Sequence, residues 1–266
     1  MDFVAFSWGS INIYWYGMAI GIAVIAGLII CRINLWLYKE DFDTVVKIMV
    51  WAIPSSVIGA RLVYVLQNTE YFASNLADIF CLWQGGLSIY GALLAFFAVC
   101  IVYLRRQRLS VLYWLDLIMP SVVFGLMILQ LVNFMMQFSV GMPLGIDLPN
   151  DHTPAEYIEY KFRPSGFEGY LYFQPVAFYQ AVVHFCIFIL TVLLTFVNKF
   201  FKLLNNGTIF LLALFLVALS RFTLGFLYFS VDRDVLLYPV QWIALVVMIL
   251  SILFYIGKNF YRAKRF

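Results

Sequence analysis

The sequence predicts an all-α membrane protein: a seven-transmembrane-helix bundle with a small extracytoplasmic head, N-terminus outside and C-terminus cytoplasmic. Three observations predict it. Hydrophobic residues make up 64 % of the 266 positions and charged residues only 12 %, where a soluble domain is about half apolar and about a quarter charged. Mean hydropathy is +0.93, and seven separate stretches reach the ~20 apolar residues that cross a bilayer. Lys and Arg also gather on alternate loops. The same composition excludes other classes. The chain holds 27 Phe, 17 Tyr and 7 Trp, too many for a disordered chain. Four Cys in so long a chain do not make a disulfide scaffold. The apolar runs are continuous, unlike the alternating strands of a membrane barrel.

The elements follow in order. A first span runs roughly from Ile11 to Leu37 and a second from Thr44 to Leu66, the latter holding Pro54 and Arg61. The first is too long for a cleaved signal peptide and has no basic stretch before it, so it reads as the targeting signal itself. Tyr71 to Gln84 is amphipathic and short, an interfacial or re-entrant piece before Gly85–Gly86. Third and fourth spans cover about Ser88 to Leu104 and Val111 to Phe138, the fourth with Asp116 and Pro120. Residues 141–173, rich in Pro, Gly, Tyr and acids, form a head or lid. The last three spans run from about Pro175 to Val197, Thr208 to Phe229 and Tyr238 to Ile256. The expected organisation is one bundle domain, 1–266, with 141–173 as an insertion.

Orientation follows from the basic residues. Arg32, Lys39, Lys47, Arg105, Arg106, Arg108, Lys199, Lys202, Lys258, Arg262, Lys264 and Arg265 fall on one side, twelve of the seventeen. The acids lean to the other. The net charge of +3 is therefore a topology signal and gives no reason to invoke nucleic acid.

Two arginines sit at membrane depth: Arg61 in the outer half of the second span and Arg221 near the middle of the sixth. An intramembrane Arg costs at least ~2.5 kcal/mol at a helix centre and normally has a partner. The acid in the same zone is Asp116, toward the other end of its span. A lipid phosphate suits a guanidinium, which binds phosphate bidentately. Tyr16, Tyr64, Ser88, Tyr90, Gln130, Asn133, Tyr179 and Gln241 are polar groups expected to line the same chamber. No metal set is expected, because the two His and four Cys are scattered. No cofactor motif is present either.

With these residues in hand, the chain resembles the bacterial prolipoprotein diacylglyceryl transferases, seven-span inner-membrane enzymes. These move a diacylglyceryl group from phosphatidylglycerol to a lipobox cysteine thiol. The resemblance rests on Trp15-Tyr16-Gly17, Gly59-Ala60-Arg61 with Tyr64, and Trp83-Gln84-Gly85-Gly86-Leu87-Ser88-Ile89-Tyr90-Gly91. It continues through Asp116 and Pro120, Phe124-Gly125, Asn133, Gly141, Pro175, Tyr179, Gly207, Arg221 and Gln241. The departures are as informative. Against the family's pattern, Tyr14 and Tyr90 stand for His, Gln130 for the signature Arg, Phe173-Gln174 for Arg-His and Gln180 for Glu. Gly225 and Tyr228 stand for a Glu and a second Arg. Scaffold positions persist, and most titratable ones do not.

Alkylating a thiol with a phosphate leaving group needs a proton acceptor near neutral pH and a cation for the departing phosphate. His suits the first task and Tyr, at a pKa of about 10, does not. His152 reads as a loop residue and His184 as a packed span residue. The expected function is therefore a divergent, catalytically inactive homologue in the bacterial inner membrane. It would bind phosphatidylglycerol-like phospholipid through Arg61 and Arg221, or lipoprotein signal segments, or serve as a subunit beside other membrane proteins. The alternative is an active transferase in which Tyr90 replaces the His. A transporter or channel is a third reading, weakened by the lack of paired half-helices.

Overall fold

A computed structural model describes residues 4–8, 11–81, 86–147, 153–229 and 237–263. The long helices are α1 (Trp15–Tyr38), α2 (Phe42–Gln67), α4 (Ile89–Arg106), α5 (Val111–Met135), α6 (Val176–Phe201), α7 (Thr208–Leu224) and α8 (Pro239–Ala263). All seven are long and apolar enough to cross a membrane. The short α3 (Thr69–Ser74) and a 3-10 turn at Leu76–Phe80 follow α2, where the interfacial segment was expected. The rest of that segment, residues 82–84, lies outside the described residues, as does Gly85 after it. One difference is at the start. Residues 11–14, read as the opening of the first span, form strand β2 (Ile11–Tyr14), antiparallel to β1 (Val4–Trp8).

The chain divides into two compact units. Residues Leu35–Leu115 make one, built on the packing of α2 against α4. Two motif glycines explain how closely these helices approach. A Cβ on Gly91 would lie 2.2 Å from the Gly59 carbonyl oxygen, and one on Gly59 would lie 2.6 Å from the Ala95 Cβ. Small residues at a membrane crossing let backbones touch.

Met1–Asn34 with Asp116–Phe266 makes the other unit. Here α7 packs on both α6 and α8. Pro120 sits inside α5, where its ring removes a helical N–H donor. Asn34 lies against the same stretch, donating from Nδ2 to the Leu117 carbonyl at 3.3 Å. Asp116, one turn before the proline, accepts from the backbone N–H groups of Gly207 and Phe210 and so caps α7 across the unit. A carboxylate at a helix N-terminus satisfies donors that the helix itself leaves open. Asp116→Ala therefore lowers stability by about 2–3 kcal/mol, read as a lower melting temperature of the purified protein. Asp116→Asn, which keeps one acceptor, recovers part of the loss.

Between α5 and α6 lies a three-stranded antiparallel sheet in the order β3 (Pro143–Gly145), β5 (Tyr172–Phe173), β4 (Glu156–Tyr157). Gln137 ties it to the end of α5, donating to the Tyr157 carbonyl at 2.7 Å and accepting from the Glu159 amide at 3.2 Å. Glu156 is buried, and that burial pushes its carboxyl up to about 7 from 4.5. The folded sheet thus holds a proton that the unfolded chain releases above pH ~4.5. Its stabilising effect is full below that pH and is lost as pH rises through about 7. Amide hydrogen exchange, corrected for intrinsic rates, should show weaker protection of Tyr172 and Phe173 at pH 8 than at pH 5.5. Glu156→Gln should remove the difference.

Candidate functional site

Arg61 is reached first along the chain. It is 6 % exposed. Its Nε donates to the Ile79 carbonyl at 3.0 Å, Nη1 to the Gly86 carbonyl at 3.1 Å, and Nη2 to the Asp78 carbonyl. The rings of Tyr64 and Phe72 flank it at 5.7 and 5.3 Å. Gly86 has φ +74°, and a Cβ there would lie 2.4 Å from the Tyr64 ring. Arg61, Tyr64 and Gly86 thus form one knot that fastens the loop between α2 and α4. The sequence reading paired Arg61 with Arg221 as phosphate ligands; in the structure at least three Arg61 N–H groups point to loop carbonyls. Ser88 is buried near this knot, its amide on the Ala60 carbonyl at 3.0 Å, and Tyr90 is half-buried in the first turn of α4.

Arg221 is placed differently. The sequence put it near the middle of its span, but α7 ends at Leu224, so Arg221 lies in the last helical turn. It is half-buried, and among the described residues its guanidinium makes no hydrogen bond and no ion pair. Tyr16 and His184 lie within reach of its electric field. Neither carries an opposite charge.

A line of neutral polar side chains runs beside it. Asn133 Nδ2 donates to Gln130 Oε1 at 3.0 Å, and Gln130 Nε2 donates to Gln180 Oε1 at 2.7 Å. The Tyr228 hydroxyl donates to the same Gln180 oxygen at 3.2 Å. One turn along α6 from Gln180, His184 Nε2 lies 3.5 Å from Ser220 Oγ, the neighbour of Arg221. At the outer margin, Gly141 pairs with Tyr228, and a Cβ on Gly141 would lie 2.2 Å from the Gln174 carbonyl oxygen.

Of the expected chamber residues, Gln130 and Asn133 join this line, and Tyr16 lies near Arg221. Tyr179 instead donates to the Pro154 carbonyl at 3.3 Å. Gln241 accepts from the Tyr238 amide at 2.9 Å and fills the space beside Gly225. Tyr64 and Ser88 belong to the other unit. Gln180, His184, Ser220 and Tyr228 were not named as site residues from the sequence. The buried face of α6 carries Gln180, His184, Thr191 and Thr195 at helical spacing, a polar stripe that was legible as a pattern. His152 lies outside the described residues.

Seven helices long and apolar enough to cross a membrane, with a line of neutral polar side chains and an arginine in the last turn of α7, define a multi-pass membrane protein. The match to known proteins is specific. The chain belongs to the prolipoprotein diacylglyceryl transferase family, whose model matches residues 3–257. Relatives named phosphatidylglycerol–prolipoprotein diacylglyceryl transferase include one from Listeria welshimeri, 28 % identical over 98 % of this chain and 90 % of its own length. Another from Listeria monocytogenes is 31 % identical over 68 % of this chain and 64 % of its own. A third, from Acaryochloris marina, is 30 % identical over 80 % and 74 %. The chain is thus a bacterial inner-membrane protein of the lipoprotein-biosynthesis family.

Proposed function

We propose that this chain holds a phospholipid by its phosphate on Arg221 and does not turn it over. One observation carries the reading. Arg221 is a half-buried cation in the last turn of α7, without a hydrogen bond or ion pair among the described residues. A phosphodiester supplies both the opposite charge and paired acceptors. We assign Tyr16, which lies within reach of the same field, to share that phosphate. The relatives' substrate suggests phosphatidylglycerol as the lipid and a lipoprotein signal segment as a further partner. A role beside other membrane subunits fits a chain that binds without reacting.

The wall beside Arg221 supports binding over transfer. Gln130, Gln180 and Tyr228 carry no charge, where the resemblance implies Arg, Glu and Arg. The second reading is an active transferase with Tyr90 as proton acceptor. Purified protein given labelled phosphatidylglycerol and a lipobox peptide decides between them. The binding reading expects retained lipid and no labelled peptide. Robust transfer that disappears in Tyr90→Phe overturns it. Lipid retention itself should fall at least about tenfold in Arg221→Gln, as expected for a lost charge-assisted pair.

A further inference from the structure

The head carries a cation between two exposed aromatic rings. Tyr157 is 52 % exposed and Tyr160 is 70 % exposed. The Arg163 guanidinium carbon lies 5.6 Å from the centre of the Tyr157 ring and 5.7 Å from that of Tyr160. Backbone carbonyls hold the side chain in place. Its Nε donates to the Ile158 carbonyl at 2.9 Å and Nη1 to the Glu168 carbonyl at 2.8 Å, while Nη2 reaches the Tyr157 hydroxyl at 3.5 Å. A guanidinium has five N–H donors, so two remain for a partner.

No carboxylate among the described residues pairs with this charge. Lys161 takes the Glu159 carboxylate at 3.1 Å. Glu168 turns its carboxylate to the Gly166 amide at 3.0 Å and offers Arg163 its backbone. Glu156 is buried, and it precedes Tyr157 on a strand, where successive side chains point to opposite faces.

The patch is tied to the ends of two spans. Gln137, two residues past α5, donates to the Tyr157 carbonyl at 2.7 Å. Tyr157 pairs with Tyr172, four residues before α6. With 25 and 26 residues, α5 and α6 are about 37 and 39 Å long, more than the ~30 Å hydrocarbon core of a bilayer. Side chains fastened to such ends fall at the margin of that core. There tyrosine rings and arginines gather, apolar parts among acyl chains and polar tips among headgroups.

We infer that Tyr157, Tyr160 and Arg163 form an anchor that seats the head on the bilayer surface, the guanidinium meeting a lipid phosphate. The anchor selects no particular headgroup, and it is independent of the reading of Arg221. The spans bring a bilayer beside this patch in every molecule, which favours lipid over a second protein as its partner.

The full chain with the photocrosslinker p-benzoylphenylalanine at position 160 is placed in dioleoyl phosphatidylcholine vesicles and irradiated. The anchor predicts adducts chiefly with lipid, unchanged by Arg221→Gln. Adducts chiefly with a second copy of the chain, or none with lipid, overturn it. Hydrogen exchange supplies an independent readout. Amides of residues 157–163 should exchange about two- to fivefold more slowly in phosphatidylcholine nanodiscs than in dodecylmaltoside micelles, which carry no phosphate. Tyr160→Ser and Arg163→Gln should each remove that difference. Arg163→Gln also loses two bonds within the head, whereas the Tyr160 side chain makes no hydrogen bond among the described residues. Tyr160→Ser is therefore the cleaner variant, and the amides of α6 report whether the fold is kept. Equal exchange in nanodiscs and micelles by the wild type, or a difference that survives both variants, overturns the anchor.

Discussion

Gln180→Glu alone should destabilise the protein by about 3–5 kcal/mol, the cost of a buried charge without its partner. The site is fully buried, and the two groups that meet the Gln180 oxygen, Gln130 Nε2 and the Tyr228 hydroxyl, are neutral. Gln130→Arg alone should cost a similar amount, because no carboxylate faces it in that network. Together the two changes place Arg against Glu where an amide pair now stands 2.7 Å apart. Most of the loss should then return, with a coupling energy of about 2 kcal/mol or more. Reversible unfolding of the four proteins in mixed micelles measures it. Additive losses in the double variant would show that positions 130 and 180 are not partners. The result bears on function, since it treats the family's missing charges as one coordinated replacement.

The two membrane arginines should answer substitution in opposite ways. Arg61→Met leaves the carbonyls of Ile79, Asp78 and Gly86 without the donor that now joins them. At the low end of ~1–3 kcal/mol for each of these three part-buried carbonyls left unmet, a loss of about 3 kcal/mol is expected. Limited proteolysis should then cut between α2 and α4. Arg61→Lys should rescue little, because one ammonium cannot address three carbonyls as a planar fork does. Arg221→Gln should leave the melting temperature of lipid-free protein nearly unchanged, since no described side chain loses a partner. Its effect should appear in lipid retention. If Arg221→Gln unfolds the protein and Arg61→Met does not, the roles assigned to the two are exchanged.

The spans were legible because twenty apolar residues have few other destinies in a cell, and most helix ends fall within a few residues of the apolar runs, although α8 runs on past Ile256 to Ala263. The strand pair at the start was not. Ile11–Tyr14 is apolar and aromatic, and four residues are too few to separate a strand's alternation from the first turn of a helix. Arg61 illustrates a second limit. Residue types reveal a guanidinium at membrane depth, but its acceptors are backbone carbonyls, which every residue carries. The nearby glycine at positive φ, Gly86, was the available hint that the loop folds back tightly. The wall shows a third. Gln130, Gln180 and Tyr228 each read as a separate loss against the family pattern. Only the fold shows that two of them share the oxygen of the third. His184 read alone is a packed histidine; beside Ser220 and Arg221 it becomes part of a polar wall.

The most direct measurement is a solid-state dipolar recoupling experiment between phosphorus-31 and nitrogen-15. Protein labelled at its arginine guanidinium groups would be reconstituted with phosphatidylglycerol. A guanidinium hydrogen-bonded to phosphate puts nitrogen within about 4 Å of phosphorus. The account predicts dephasing of a minor, immobilised phosphorus signal in the wild type and its loss in Arg221→Gln. No immobilised phosphorus signal, or dephasing that survives Arg221→Gln, would contradict it.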